Sequence, residues 1–187
     1  MQAALKVVGK TGTCEGAVPE HSAVGDSQAN GRAESAVQEI ENHVRTLKAA
    51  LESRIRKRIP SSHPIVRWLI EHSATTLNKY AVHGDGATLS TAYEQLHGKK
   101  ASEKLAEFGE RVLFWIPKKR RAKLDLPWSS GMFLGTTMTT NEAYVGLPDG
   151  DVIRTSAVCR IRPDQRWNAD LLQGITGTPI ETSDETG

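Results

Sequence analysis

Gly25-Asp-Ser-Gln-Ala-Asn-Gly-Arg-Ala-Glu34-Ser-Ala-Val-Gln-Glu-Ile-Glu-Asn-His-Val-Arg45 sets the reading of the chain. Its first seven residues are small, polar and bounded by glycines, which predicts a loop over Gly25–Gly31. A helix is then expected over about Arg32–Arg58, because Val37, Ile40, Val44, Leu47, Leu51 and Ile55 recur at alternating three- and four-residue steps and form one apolar stripe. Pro60 is expected to end it. Glu34 falls in the first turns of this helix, where a carboxylate is also favoured by the macrodipole alone. The far end, Arg54-Ile-Arg-Lys-Arg58, is cationic; it suits a helix C-terminus and equally a polyanion-facing surface.

Outward from this stretch, residues 1–8 read as the end of a helix. Gly9–Gly16 reads as loop, and a short strand is expected near Val18. Pro64–Tyr80 predicts a second helix with Pro64 in its first turn; Ile65, Leu69, Ala74 and Leu77 form its buried face. His83–Gly86 reads as a turn, and Thr91–His97 as a short helix closed by Gly98. From about Phe108 the period changes. Arg111–Ile116, Met132–Gly135, Ala143–Leu147 and Val152–Ile161 are strand candidates, with a turn at Pro148–Asp151. So many short strands predict a small β-barrel. After Trp167 the chain turns polar and acidic, and a disordered tail is expected. The fold class is therefore α+β.

The 187 residues carry a net charge of only +2, but the distribution is uneven. Lys99–Asp125 holds nine Lys/Arg against four Asp/Glu, while four acids and no base follow Arg166. A basic middle faces a polyanion more readily than the net charge implies. The densest run is Lys118-Lys119-Arg120-Arg121-Ala-Lys123, and Arg111, Arg154, Arg160, Arg162 and Arg166 add charge nearby. Phosphate contacts from such groups give salt-dependent, sequence-independent affinity. Trp115, Trp128 and Trp167 read as core or rim residues. Cys14 and Cys159 lie in no zinc-ligand spacing and read as thiols of a reducing compartment. No stretch reaches the roughly 18 apolar residues of a membrane span. No membrane partner and an intracellular location, nuclear or cytoplasmic, are expected.

In order along the chain, Ser27-Gln-Ala-Asn-Gly-Arg-Ala-Glu34, Arg67-Trp-Leu-Ile-Glu-His-Ser-Ala74 with Leu77-Asn-Lys79, Thr91-Ala-Tyr-Glu-Gln-Leu-His-Gly98, Glu107-Phe-Gly109, Ile116-Pro-Lys118, Lys123-Leu-Asp125 and Gly131-Met-Phe-Leu-Gly135 resemble the C-terminal half of integrase in copia-type LTR retrotransposon polyproteins. The likeness covers about residues 17–162. It implies DNA integration by in-line phosphoryl transfer with Mg²⁺, the metal being held by two Asp and a helix-borne Glu. On that basis Glu34 is the catalytic, metal-binding carboxylate. Lys118, Lys119, Arg120, Arg121, Lys123, Arg45 and Lys48 are the DNA-binding residues. Double-stranded DNA and other integrase chains are the implied partners.

The resemblance further implies an architecture: residues 1–60 as the end of an RNase H-like catalytic core, 61–98 as a helical connector, 99–166 as a small Src-homology-type barrel and 167–187 as tail. The sequence departs from the family at several points. Ala92 replaces a Pro, and Gln38 and Glu41 stand where Arg or Lys often face DNA. In the family the second Asp precedes the Glu by roughly 35 residues or more, which counts back past Met1. The upstream zinc-binding His/His/Cys/Cys pattern is also absent. Asp26, in the loop, is not read as a ligand. The chain alone is therefore expected to be catalytically inactive unless another chain supplies the Asp residues. Without the rest of the core sheet, the apolar stripe of the Arg32–Arg58 helix is expected to lie uncovered.

Overall fold

A computed structural model describes residues 27–83, 89–101, 106–118 and 121–179. Expectations for residues 1–26 and for the 84–88 turn fall outside these. The chain divides between Gln38 and Glu39. In the first unit the described residues are helical, and 33–38 are exposed, Val37 by 57%.

Helix α1 runs Ser27–Ile55. It begins earlier than the sequence predicts, because Ser27–Gly31, expected as loop, is helical. Glu34 thus lies in the third turn rather than the first. The helix also ends earlier. Arg56 takes a left-handed conformation (φ 54°), and the amide of Lys57 donates to the carbonyl of Glu52 at 3.3 Å. That closure terminates the helix before Pro60 is reached. The Glu52 carboxylate seals the exit, accepting from the Ile59 amide and from Lys48, both at 2.7 Å. The Ile59 amide, foremost, holds its pKa below the usual value.

Helix α2, Ile65–Tyr80, follows Pro64 as expected. Strands β1 (Val82–His83) and β2 (Ser90–Thr91) pair antiparallel, and α3 spans Ala92–His97. A capping box explains α3: Thr91 accepts from the Glu94 amide while the Glu94 carboxylate accepts from the Thr91 amide, and Gly98 closes the helix at φ 64°.

Five strands then form an antiparallel sheet: β3 (Arg111–Trp115), β4 (Trp128–Thr136), β5 (Ala143–Gly146), β6 (Val152–Thr155) and β7 (Val158–Arg160), in the order β6-β5-β4-β3-β7. The single strand expected over Val152–Ile161 is two strands, broken at Ser156-Ala157. These two strands are the opposite edges of the sheet, yet the three Cα steps joining them span at most about 11 Å. The sheet is therefore strongly curled. Thr155 Oγ1 donates to the Trp115 carbonyl at 3.3 Å, and the Trp115 amide donates to Ala157 at 3.1 Å.

β4 is buried continuously from Gly131 to Thr137. Period-two alternation divides its side chains between two cores. Met132 and Leu134 join Leu51, Ile59, Ile65, Trp68, Leu69 and Phe108 on the helix side, while Phe133 joins Val112, Phe114, Ala143 and Val145 on the other. The stripe of α1 is thus covered over its second half: Leu51 is 2% exposed, with Val44, Leu47 and Ile55 packed beside it. The uncovered stripe expected from the sequence survives only at Val37. The segment read as connector shares this same core, since α2 packs on β4.

The two glycines of Gly131-Met-Phe-Leu-Gly135 have steric causes. A Cβ at Gly131 would collide with Val145 and stand 2.7 Å from the Gly146 carbonyl oxygen. At Gly135 (φ 130°), beside a register shift between β4 and β5, a Cβ would meet His72 Nδ1 at 2.9 Å.

The tail expected to be disordered from 167 is ordered as far as Pro179. Asn168 caps α4 (Ala169–Gly174) by accepting from the Asp170 amide at 2.8 Å. Leu172 and Ile175 enter the helix-side core, and Trp68 Nε1 donates to Gly177 at 2.8 Å. The amides of Thr176 and Gly177 donate to the Gly150 carbonyl. No helix among the described residues is long and apolar enough to cross a membrane.

Two outcomes follow. Gly131→Ala lowers the unfolding free energy by about 1–3 kcal/mol through overpacking, read from urea midpoints. The second concerns His72, which is buried between Phe108 and Phe133. Burial foremost, then the neighbouring His43 and Lys79, pushes its pKa down to about 4. Above the ordinary value near 6.5 neither the folded nor the unfolded state binds the proton. As pH falls from there toward about 4 the unfolded chain takes it up first, so stability declines by about 3 kcal/mol in all and levels off below. Urea midpoints across this window should fall for the native chain and fall less for His72→Gln.

Candidate nucleic-acid interface

The loop between β3 and β4 carries the densest positive charge of the chain. From Lys118 to Pro127 there are five Lys/Arg and one Asp. Its base is fixed by pairing. Trp115 and Trp128 face each other across β3 and β4, their rings 5.4 Å apart and inclined at 75°. The Ile116 amide donates to Pro127 at 2.8 Å and carries the ladder one step further. A turn shapes the outer part: Asp125 Oδ2 accepts from the Ala122 amide at 3.0 Å, and the Asp125 amide donates to Ala122 at 3.2 Å.

Of the residues read as DNA-binding in this loop, Lys118 and Lys123 are exposed. Arg121 lies over the Trp115 ring at 5.3 Å and donates to the Asp125 carbonyl at 3.4 Å. Stacking on an aromatic face orients the guanidinium without neutralising it. Lys119 and Arg120 lie outside the described residues. Two apolar side chains share the loop with these cations: Leu124 is 95% exposed and Leu126 78%.

Other arginines of the basic stretch are engaged inside the protein. Glu110 is fully buried at the start of β3. Arg160 clasps it through Nε at 2.9 Å and Nη2 at 2.8 Å, and Arg166 Nε approaches at 3.1 Å. The amide of Glu107 also donates to it, at 3.0 Å. A carboxylate removed from water must be compensated in this way. In return, its hydrogen bond foremost raises the pKa of Arg160. Arg160 also reaches Glu107 at 3.4 Å. Glu107 in turn pairs with Arg54, whose guanidinium sits 4.5 Å above the Trp167 ring. Arg162 pairs with Asp164, and Arg111 donates to Ser130. Part of the charge counted as a polyanion-facing patch therefore holds the β3–β7 edge together.

On α1, Arg45 pairs with Glu41 at 2.8 Å and Lys48 with Glu52 at 2.7 Å, each four residues apart. The exposed Arg45–Glu41 pair is worth little, whereas Lys48–Glu52 is half-buried and part of the helix exit. Glu34 is exposed. Among the described residues no group of three or more His, Cys, Asp or Glu is placed to hold a metal ion. A single solvated carboxylate does not fit Mg²⁺, which gives up its water reluctantly.

No family model, curated protein or solved structure matches this chain.

Two features escaped the sequence. Glu110 gives no local signal, because its partner Arg160 lies 50 residues away. Leu124 and Leu126 are apolar in sequence, and only the structure shows them standing exposed beside the cations. Glu110→Gln is expected to lower stability by about 3 kcal/mol, since it leaves two arginines facing a neutral amide. The reverse fault, Arg160→Ala, strands a buried carboxylate and should also unfold at lower urea.

Proposed function

We propose that this chain binds duplex DNA without reading its sequence, through the loop joining β3 and β4, and that it descends from the C-terminal half of a retrotransposon integrase. The observation that carries the binding reading is the division of charge. Arg160 and Arg166 are engaged with the buried Glu110, and Arg54 is paired with Glu107. Lys118 and Lys123, in contrast, are exposed on a loop whose base is pinned by a tryptophan pair. Cations close together in sequence and open to solvent attract phosphates by counterion release and carry no base information.

In this reading the curled five-stranded sheet is a small barrel of the Src-homology type. Support comes from the two edge strands following each other in the chain. The first half of α1 is the remnant of an RNase H-like core, and the support there is the resemblance of Ser27–Glu34. Its helical Ser27–Gly31 departs from the loop of that resemblance. Strand transfer itself would need carboxylates beside Glu34, contributed by other integrase chains together with Mg²⁺. The activity assigned to this chain is therefore holding DNA.

Binding of labelled duplex across a salt series tests the proposal. The native chain should bind with an affinity that falls steeply with salt. Replacing Lys118, Lys119, Arg120 and Arg121 with Ala should weaken binding and reduce the slope of log K against log salt by about 0.9 per phosphate contact removed. Arg166→Ala serves as the contrast, lowering stability while leaving the slope of the folded protein unchanged. Absence of low-salt binding by folded native chain would refute the proposal.

A further inference from the structure

The same loop has a second chemical character that phosphate contacts do not use. Leu124 and Leu126 are 95% and 78% exposed, and Trp128 at the base of the loop is 37% exposed. Trp128 is braced edge to face by Trp115, which is itself covered by Arg121. Full burial of one leucine side chain is worth about 1.5–3 kcal/mol, so two bare leucines on the loop that leads into Trp128 leave a substantial apolar area in water. The leucines directly follow Lys118, Arg121 and Lys123 in the same loop. An occupant complementary to both must offer closely spaced negative charge and an accessible apolar face. Intact duplex offers the charge but hides its base faces in the stack. A single strand offers both, with phosphates spaced along bases that are free to stack on aromatic and aliphatic groups.

We propose that this loop prefers single-stranded nucleic acid to duplex, with Lys118, Arg121 and Lys123 tracking the backbone and unstacked bases packing on Trp128, Leu124 and Leu126. The inference rests on the nucleic-acid reading above and specifies the form of the ligand. Trp128 belongs to the strand and is held by its cross-strand partner, so its position suits a strand lying across the hairpin. Insertion of the loop tip into a lipid surface would leave that aromatic face unused. With stacking, the preference persists at salt concentrations that screen phosphate contacts, because base packing does not release counterions.

The test compares a short labelled single strand of mixed, non-self-complementary sequence with its duplex at low and at physiological salt, using the full chain. The native protein should favour the single strand by about tenfold at the higher salt, with quenching of tryptophan fluorescence. Leu124→Ser with Leu126→Ser alters only exposed side chains; it should sharply reduce the preference while duplex binding at low salt persists. Equal affinity of the native chain for both forms, unchanged in the variant, would overturn this inference and leave the duplex-binding reading standing. Loss of both bindings in folded native protein would overturn the two together. Binding only to vesicles of mixed phosphatidylserine and phosphatidylcholine, with a blue-shifted tryptophan emission, would also overturn it and assign the loop to an anionic membrane surface.

Discussion

The continuous burial of Gly131–Thr137 is the constraint on which the second unit depends. β4 supplies fully buried side chains to both hydrophobic cores, with Met132 and Leu134 turned to the helices and Phe133 turned to the far face of the sheet. A strand buried on both faces admits no register slip, since a one-residue shift would exchange the two sets. The glycines at 131 and 135 are the local condition of this arrangement. One lets Val145 and Gly146 approach, and the other lets His72 of α2 approach. The same anchoring sets where β4 begins, and so where the β3–β4 loop projects from the body.

Charge follows a parallel logic. Folding sorts the arginines by whether a carboxylate reaches them. Glu110, which has no access to water, draws in Arg160 from β7 and Arg166 from beyond it. Glu107 draws in Arg54 from the end of α1 and closes the same cluster over Trp167. These residues tie the first and last strands and the long helix to one another. Their contribution to any long-range attraction is correspondingly reduced, because each positive group has a negative one within contact distance. On the loop, by contrast, Lys118 and Lys123 stay exposed and the single Asp125 is occupied by the turn. The unequal roles of arginines adjacent in sequence space arise from this competition and from no property of the individual side chains.

Much of the architecture was legible in the chain. The 3.6-residue stripe from Val37 to Ile55 announces α1, Pro64 opens α2, and Thr91–His97 closed by Gly98 marks α3, with Thr91 proving to be its cap. Alternation locates β3, β4 and β5. The departures have separate causes. Ser27–Gly31 has the composition of a loop and is helical. α1 stops at a left-handed Arg56 instead of at Pro60. The polar segment after Trp167 is ordered because Leu172 and Ile175 find a core and Gly177 accepts the indole proton of Trp68. Composition averages over a segment, and two well-placed apolar residues are enough to order it.

By itself the sequence determined the α+β class, the position of the basic run and the closure of the short helix at Gly98. Each of these depends on residues a few places apart, whose interactions are encoded in spacing. Only the tertiary structure decided that the second half of α1 is covered and that Arg160 and Arg166 serve a buried Glu110. It also decided that Leu124 and Leu126 stand outside the fold beside exposed lysines. Those outcomes depend on which groups meet across tens of residues and on which are cut off from water. Burial is a property of the assembled body, and with it go the cost of an unpaired carboxylate and the worth of an exposed leucine.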